Sequence, residues 1–214
     1  MKKYLLMLVL ACATAAHAEE KPVPQEGTGF MSAIELAKYQ TVIGRVQDYL
    51  SGLTTITSEF TQTAPDGTLT TGKFYLQRPE KMRWQYNPPT PVLMVSNGNE
   101  LVYYDYDLDQ TSRIPLDSTL VGFLARKKIT FDDTVGIRAI SAKNGVIRIS
   151  VAQIDKPSEG ELTLELSDKP MQIKNMVVKD ATGQVTTVAL NNARFGGKLD
   201  DSLFVFKQPK REKH

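Results

Sequence analysis

Two periods organise this chain. Across 32–53, Tyr39, Val42, Val46, Tyr49 and Leu53 recur at three and four, and Leu36, Ile43 and Leu50 widen the stripe. That spacing predicts an amphipathic helix with one face on a core. Ser32 followed by Glu35 fits a capping box, and Gly52 sits near the expected stop. From Ile56 the period changes to two, the signature of half-buried strands. Gly72 to Tyr86 reads as two strands with a sharp corner at Arg78-Pro79. Alternation puts Phe74, Leu76 and Arg78 on one face of the first strand. In the second it puts Met82, Trp84 and Tyr86 on one face and Lys81, Arg83 and Gln85 on the other.

The remaining strands are marked off by turns. Segments 56–63 and 72–77 flank Ala64-Pro65-Asp66-Gly67. Segments 92–96 and 100–108 flank Asn97-Gly98, and 137–141 and 146–154 flank Asn144-Gly145. Segments 161–167 and 172–179 flank Asp168-Lys169-Pro170, 184–190 follows Thr182-Gly183, and 203–206 closes the series. Tight turns imply an antiparallel meander of about eleven strands rather than crossover units. One stretch breaks the period: 117–127, with Leu120, Phe123 and Leu124, suits a short helix capped by Ser118 or Asp117. The fold class expected is α+β, mainly β. Each strand has one apolar face, as in Leu162, Leu164 and Leu166 against Thr163 and Glu165. A sheet of this size must curl, and the two amphipathic segments are the covers at hand for its concave side.

Composition adds an address. Lys2-Lys3, a short apolar core and Ala16-His17-Ala18 form a signal peptide over 1–18, with cleavage expected after Ala18. The competing site is Val9-Leu10-Ala11-Cys12, whose use would lipidate Cys12. A flexible lead-in follows over 19–31, then a single domain over 32–209 and a tail over 210–214. Cleavage removes Lys2 and Lys3 from the 26 basic residues and none of the 24 acidic ones, leaving a formal charge of zero. A chain without a basic face is not expected to bind nucleic acid. The same cut removes the one cysteine, so the exported chain must stand on its core without disulfides.

Candidate chemistry is sparse. The only histidine beyond the signal segment is His214, so the usual zinc sites and Ser-His or Cys-His nucleophiles are not expected, and no cofactor and no enzymatic activity is expected. Asp105-x-Asp107-x-Asp109 resembles the start of a calcium loop. Gln110 and Leu116 stand where that loop needs glycine and glutamate, so a solvated strand end is the better reading. Asp132-Asp133 are adjacent and would face opposite sides of a strand; a loop is the simpler reading. For Arg78 the plain reading is a solvent-facing arginine before a proline turn. Its parity with Phe74 and Leu76, at a rim, is the argument for more. Trp84 reads as core or as cavity wall, which share one face here.

Phe60-x-Gln62, Gly72-x-Phe74, Leu76-x-Arg78-Pro79, Trp84-x-Tyr86 and Ser96-x-Gly98-x-x-Leu101 together resemble the periplasmic outer-membrane lipoprotein carrier (LolA) family, over roughly 34–206. The resemblance implies an unclosed antiparallel β-barrel with a helical lid over an apolar cavity. It implies a monomeric periplasmic carrier with three partners: acylated lipoproteins, the inner-membrane ABC transporter that releases them and an outer-membrane acceptor. It places Phe74, Leu76, Met82, Trp84, Tyr86, Leu120, Phe123 and Leu124 on the lipid-binding surface, and makes Arg78 the latch of the empty carrier's lid. Alternatives on the same fold are a lipid-anchored acceptor and a periplasmic lipid-sensing regulator.

Overall fold

The computed structural model describes residues 29–131 and 134–208. The signal segment, Cys12 and the Asp132-Asp133 pair fall outside them. Eleven strands form one antiparallel sheet in the order β6-β5-β4-β3-β2-β1-β11-β10-β9-β8-β7. They are β1 (Thr55–Thr63), β2 (Leu69–Gln77), β3 (Lys81–Tyr86), β4 (Val92–Asn97), β5 (Glu100–Asp105), β6 (Gln110–Pro115), β7 (Val135–Lys143), β8 (Val146–Gln153), β9 (Gly160–Asp168), β10 (Met171–Asp180) and β11 (Val185–Phe195). The first and last strands meet at the centre and the sequence runs outward on both sides. β6 and β7 are the edges, and the sheet is not closed between them. Bulges in the pairing between Thr57 and Glu59, Ile137 and Ala139, and Ile173 and Asn175 bend the strands. Asn144 and Gly145 turn β7 into β8 with φ of 53° and 74°, as a two-residue hairpin requires.

One face of the sheet holds the core. Phe60, Phe74, Trp84, Met94, Ile149, Leu164, Met176 and Val188 are all fully buried there. The helical segment lies against this face, but in two pieces: α1 (Ala33–Ala37) and α2 (Gln40–Gly52). Ser32 and Glu35 make the expected capping box. The break comes at Lys38 and Tyr39, where the bonds shorten to Lys38 N–H to Glu35 O (3.2 Å) and Tyr39 N–H to Leu36 O (2.9 Å). Tightening the turn lets Leu36 and Tyr39 both pack on the core. α2 then buries Val46 and Leu50 completely. It is pinned to the β9–β10 hairpin by an Arg45–Asp168 ion pair (2.5 Å) and by Ile173 N–H donating to the Tyr49 hydroxyl (3.1 Å) at a bulge.

Three further expectations fail. The short helix expected over 117–127 is two 3₁₀ turns, Leu116–Ser118 and Val121–Ala125. Neither Ser118 nor Asp117 caps the second turn; the Thr119 hydroxyl accepts from Gly122 N–H at 3.0 Å. Segment 203–206 is not a strand. A 3₁₀ turn, Asp201–Phe204, crosses the outer face of β3 and β4 instead. And 100–108 is a strand only to Asp105: the chain turns and returns as β6, whose residues are exposed apart from Ile114. An edge strand with one buried side chain carries no alternation to read. The Asp105 carboxylate bonds the amides of Asp107 (2.9 Å) and Leu108 (3.0 Å), so the acidic triplet forms this β5–β6 turn.

Candidate functional site

The residues expected on the lipid-binding surface come together. Phe74, Leu76, Met82, Trp84 and Tyr86 from β2 and β3, and Phe123 and Leu124 from the second 3₁₀ turn, are buried in one cluster, and Leu120 packs against it half-buried. The aromatic wall is tightly built. Phe60 meets Trp84 and Tyr86 edge to face, each at 5.0 Å, and Phe74 lies 4.2 Å from Trp84. Such pairs add about 0.5–1.5 kcal/mol beyond the area they bury.

Several of the spacings picked out in the sequence have a packing reason here. A Cβ on Gly72 would stand 2.3 Å from Gln85 O and 2.6 Å from a Phe60 ring atom, so glycine lets Phe60 lie across the sheet. Gln62 reaches the Tyr86 hydroxyl, which donates to its Oε1 at 2.8 Å with both side chains buried. That burial pushes the Tyr86 phenol well above its usual range. Trp84 spends its indole N–H on the Met82 sulfur at 3.1 Å. The apolar cavity that the resemblance implies does not open beside Phe74 and Trp84, whose rings are both fully buried against their neighbours. Open space lies elsewhere: a groove of about 650 Å³ between α1–α2 and β7, lined by Met31, Leu36, Ile43, Phe131 and Ile137, and a cavity of about 300 Å³ beside Glu80, Gly122 and Arg126.

Arg78 stands at the β2–β3 corner, before a cis bond to Pro79. It is half-buried, and among the described residues its guanidinium donates to backbone carbonyls of two separate segments. At the end of α2 it reaches Leu50 O, Ser51 O (3.4 Å) and, just past the helix, Leu53 O (3.1 Å). On the segment after the second 3₁₀ turn it reaches Arg126 O (2.8 Å) and Lys127 O (3.1 Å). The last carbonyls of a helix have no partner within it and carry the negative end of its dipole, so a cation suits them. Burial pulls the Arg78 pKa down from its usual value. The same joint holds two contacts that the sequence did not disclose: Glu80 N–H to Ala125 O at 2.7 Å, and the Ser51 hydroxyl to Ile129 O at 3.3 Å. Main-chain donors leave no mark in residue identity.

Comparison with known proteins agrees with this geometry. The family model of the outer membrane lipoprotein carrier protein LolA matches residues 51–207. An outer-membrane lipoprotein carrier protein of Methylococcus capsulatus is 29% identical, the match covering 97% of this chain and 94% of that one. An uncharacterised protein of Rickettsia prowazekii is 26% identical over 78% of this chain and 77% of its own. Among solved structures, a DUF1329 family protein of Desulfovibrio piger shares the fold at a TM-score of 0.52 and 11% identity, covering 78% of this chain and 96% of that one. With the family match spanning most of the folded chain, and with Phe60, Gln62, Arg78, Trp84 and Tyr86 in mutually explained contacts, this chain belongs to the outer membrane lipoprotein carrier protein LolA family.

Proposed function

We propose that this member of the family carries acylated lipoproteins across the periplasm between the concave face of its sheet and a lid that Arg78 latches when the carrier is empty. Family membership makes the protein a periplasmic lipoprotein carrier. Its partners on this reading are the lipoproteins, the inner-membrane ABC transporter that hands them over and the outer-membrane acceptor that receives them. The physical need is plain. Each CH₂ of an acyl chain gains about 0.8 kcal/mol on leaving water, so several long chains need tens of kcal/mol of cover.

The observation that carries the latch is the guanidinium of Arg78, each nitrogen of which donates to carbonyls at the end of α2 or in the 126–127 segment. A planar fork with five N–H groups is pre-organised to span two covers at once. In the closed state the apolar wall packs against Phe123 and Leu124. Loading parts the covers, and acyl chains replace those side chains against Phe74, Leu76, Met82, Trp84, Tyr86 and Leu120. The bonds lost on opening lower net affinity and so permit release.

Transfer of labelled lipoprotein from loaded carrier to acceptor tests this. Arg78→Leu should load at least as well as the parent and release more slowly. It should also lose stability, because each carbonyl left unpaired costs about 1–3 kcal/mol. A stable variant that transfers at the parental rate refutes the latch.

A further inference from the structure

We propose that the main chain at Glu80 is a second clasp on the lid, and that Ser96 and Gly98 are the residues that position it. The proposal deepens the latched-carrier reading and rests on it. Arg78 takes the carbonyls of Arg126 and Lys127; Glu80 N–H takes the preceding one, Ala125 O, at 2.7 Å. The Glu80 side chain has no part in this bond. Its backbone has φ of +65°, a left-handed conformation that residues with a Cβ rarely adopt. Something must hold it there.

The holder is the β4–β5 turn. Glu80 O is gripped from two directions, by the Ser96 hydroxyl and by Gly98 N–H at 3.3 Å. Ser96 is fully buried on the inward face of β4, so its hydroxyl is aimed rather than solvated. Gly98 has φ of +113°, open only to glycine at low cost. With the carbonyl of residue 80 fixed and φ set, the direction of its N–H is determined, and it faces the lid. The spacing Ser96-x-Gly98 thereby gains a task that packing alone does not supply.

The two clasps differ in what they join. Arg78 ties the lid to α2 and to the sheet corner together. Glu80 ties the lid to the sheet alone, so removing the Arg78 side chain leaves the lid attached at Ala125. Ser96 is a positioning residue: it acts on the lid through the Glu80 peptide.

Amide hydrogen exchange of the full chain, followed residue by residue by NMR, reads the clasp without cargo. In the parent, the Glu80 amide should be protected. In Arg78→Leu it should stay within about threefold of the parent; in Ser96→Ala it should exchange about tenfold faster or more, with the amides of β9 within about twofold in both. The double variant should expose the Glu80 amide and the lid together. A Glu80 amide unprotected in the parent, unchanged in Ser96→Ala, or released by Arg78→Leu as fully as by the double variant overturns the proposal. If Ser96→Ala does not fold, the parent and Arg78→Leu decide by the same criteria. Lipoprotein transfer is a separate readout, so a failed carrier reading and a failed clasp give different results.

Discussion

Tyr86 and Gln62 show how single side chains build the wall of this carrier. Their hydroxyl–amide bond at 2.8 Å is buried on both sides; it joins β3 to β1, with β2 between them, on one face of the sheet. Tyr86→Phe leaves Gln62 Oε1 without its donor, and a buried acceptor without one costs about 1–3 kcal/mol. Chemical denaturation should show that loss. Adding Gln62→Leu should restore part of it, because both partners are then apolar, and a double-mutant cycle measures the coupling. Arg78 was legible at this scale through its parity with Phe74 and Leu76. Ser51 and Glu80 were not, because a hydroxyl and a main-chain N–H say nothing about direction until the chain is folded.

Among the elements, the stretch 116–125 departs most from the helix that its apolar spacing suggests. A Cβ on Gly122 would stand 2.0 Å from Leu116 O and 2.8 Å from Thr119 Oγ1, so the chain is wound tighter than an α-helix there. Gly122→Ala must push the two 3₁₀ turns apart. Its expected effect is a looser 116–129 segment over an intact sheet: more binding of an apolar dye, faster amide exchange over 116–129, and little change in β9. The other elements divide by how they bury. β8, β9 and β10 each keep an apolar row, and they were legible to within a few residues. β6 hides Ile114 alone, so nothing in its sequence distinguishes strand from loop. The Leu203–Phe206 stretch has the residues of a strand but lies across β3 and β4 rather than beside an edge; Arg83 holds Leu203 O at 3.0 Å in the turn. The helix broke at Tyr39 without proline or glycine, a tertiary choice that periodicity cannot show.

At the scale of the molecule, both faces of β4 are covered. The inner face meets the core, and the outer face places Leu93 and Val95 in a second small cluster with Tyr104 and Phe206. The chain after β11 is thus a strap, fastened by Lys81 to Asp201 at 2.6 Å and by Tyr104 against Phe206 at 5.4 Å. A chain ended at Phe195 gives up Phe204 and Phe206 and uncovers this cluster. Burying such a side chain is worth about 1.5–3 kcal/mol. The shortened protein should melt earlier and show association by light scattering that the full chain lacks. The central pairing of β1 with β11 has a kinetic consequence. β1–β6 and β7–β11 are each built of neighbouring hairpins that form locally, but Thr57 must find Arg194 across nearly the whole domain. Joining two half-sheets at their middle closes the longest loop in the molecule, and contacts of that separation are slow to form. Refolding should therefore be limited by the union of the halves, with β1 and β11 the last strands to gain protection.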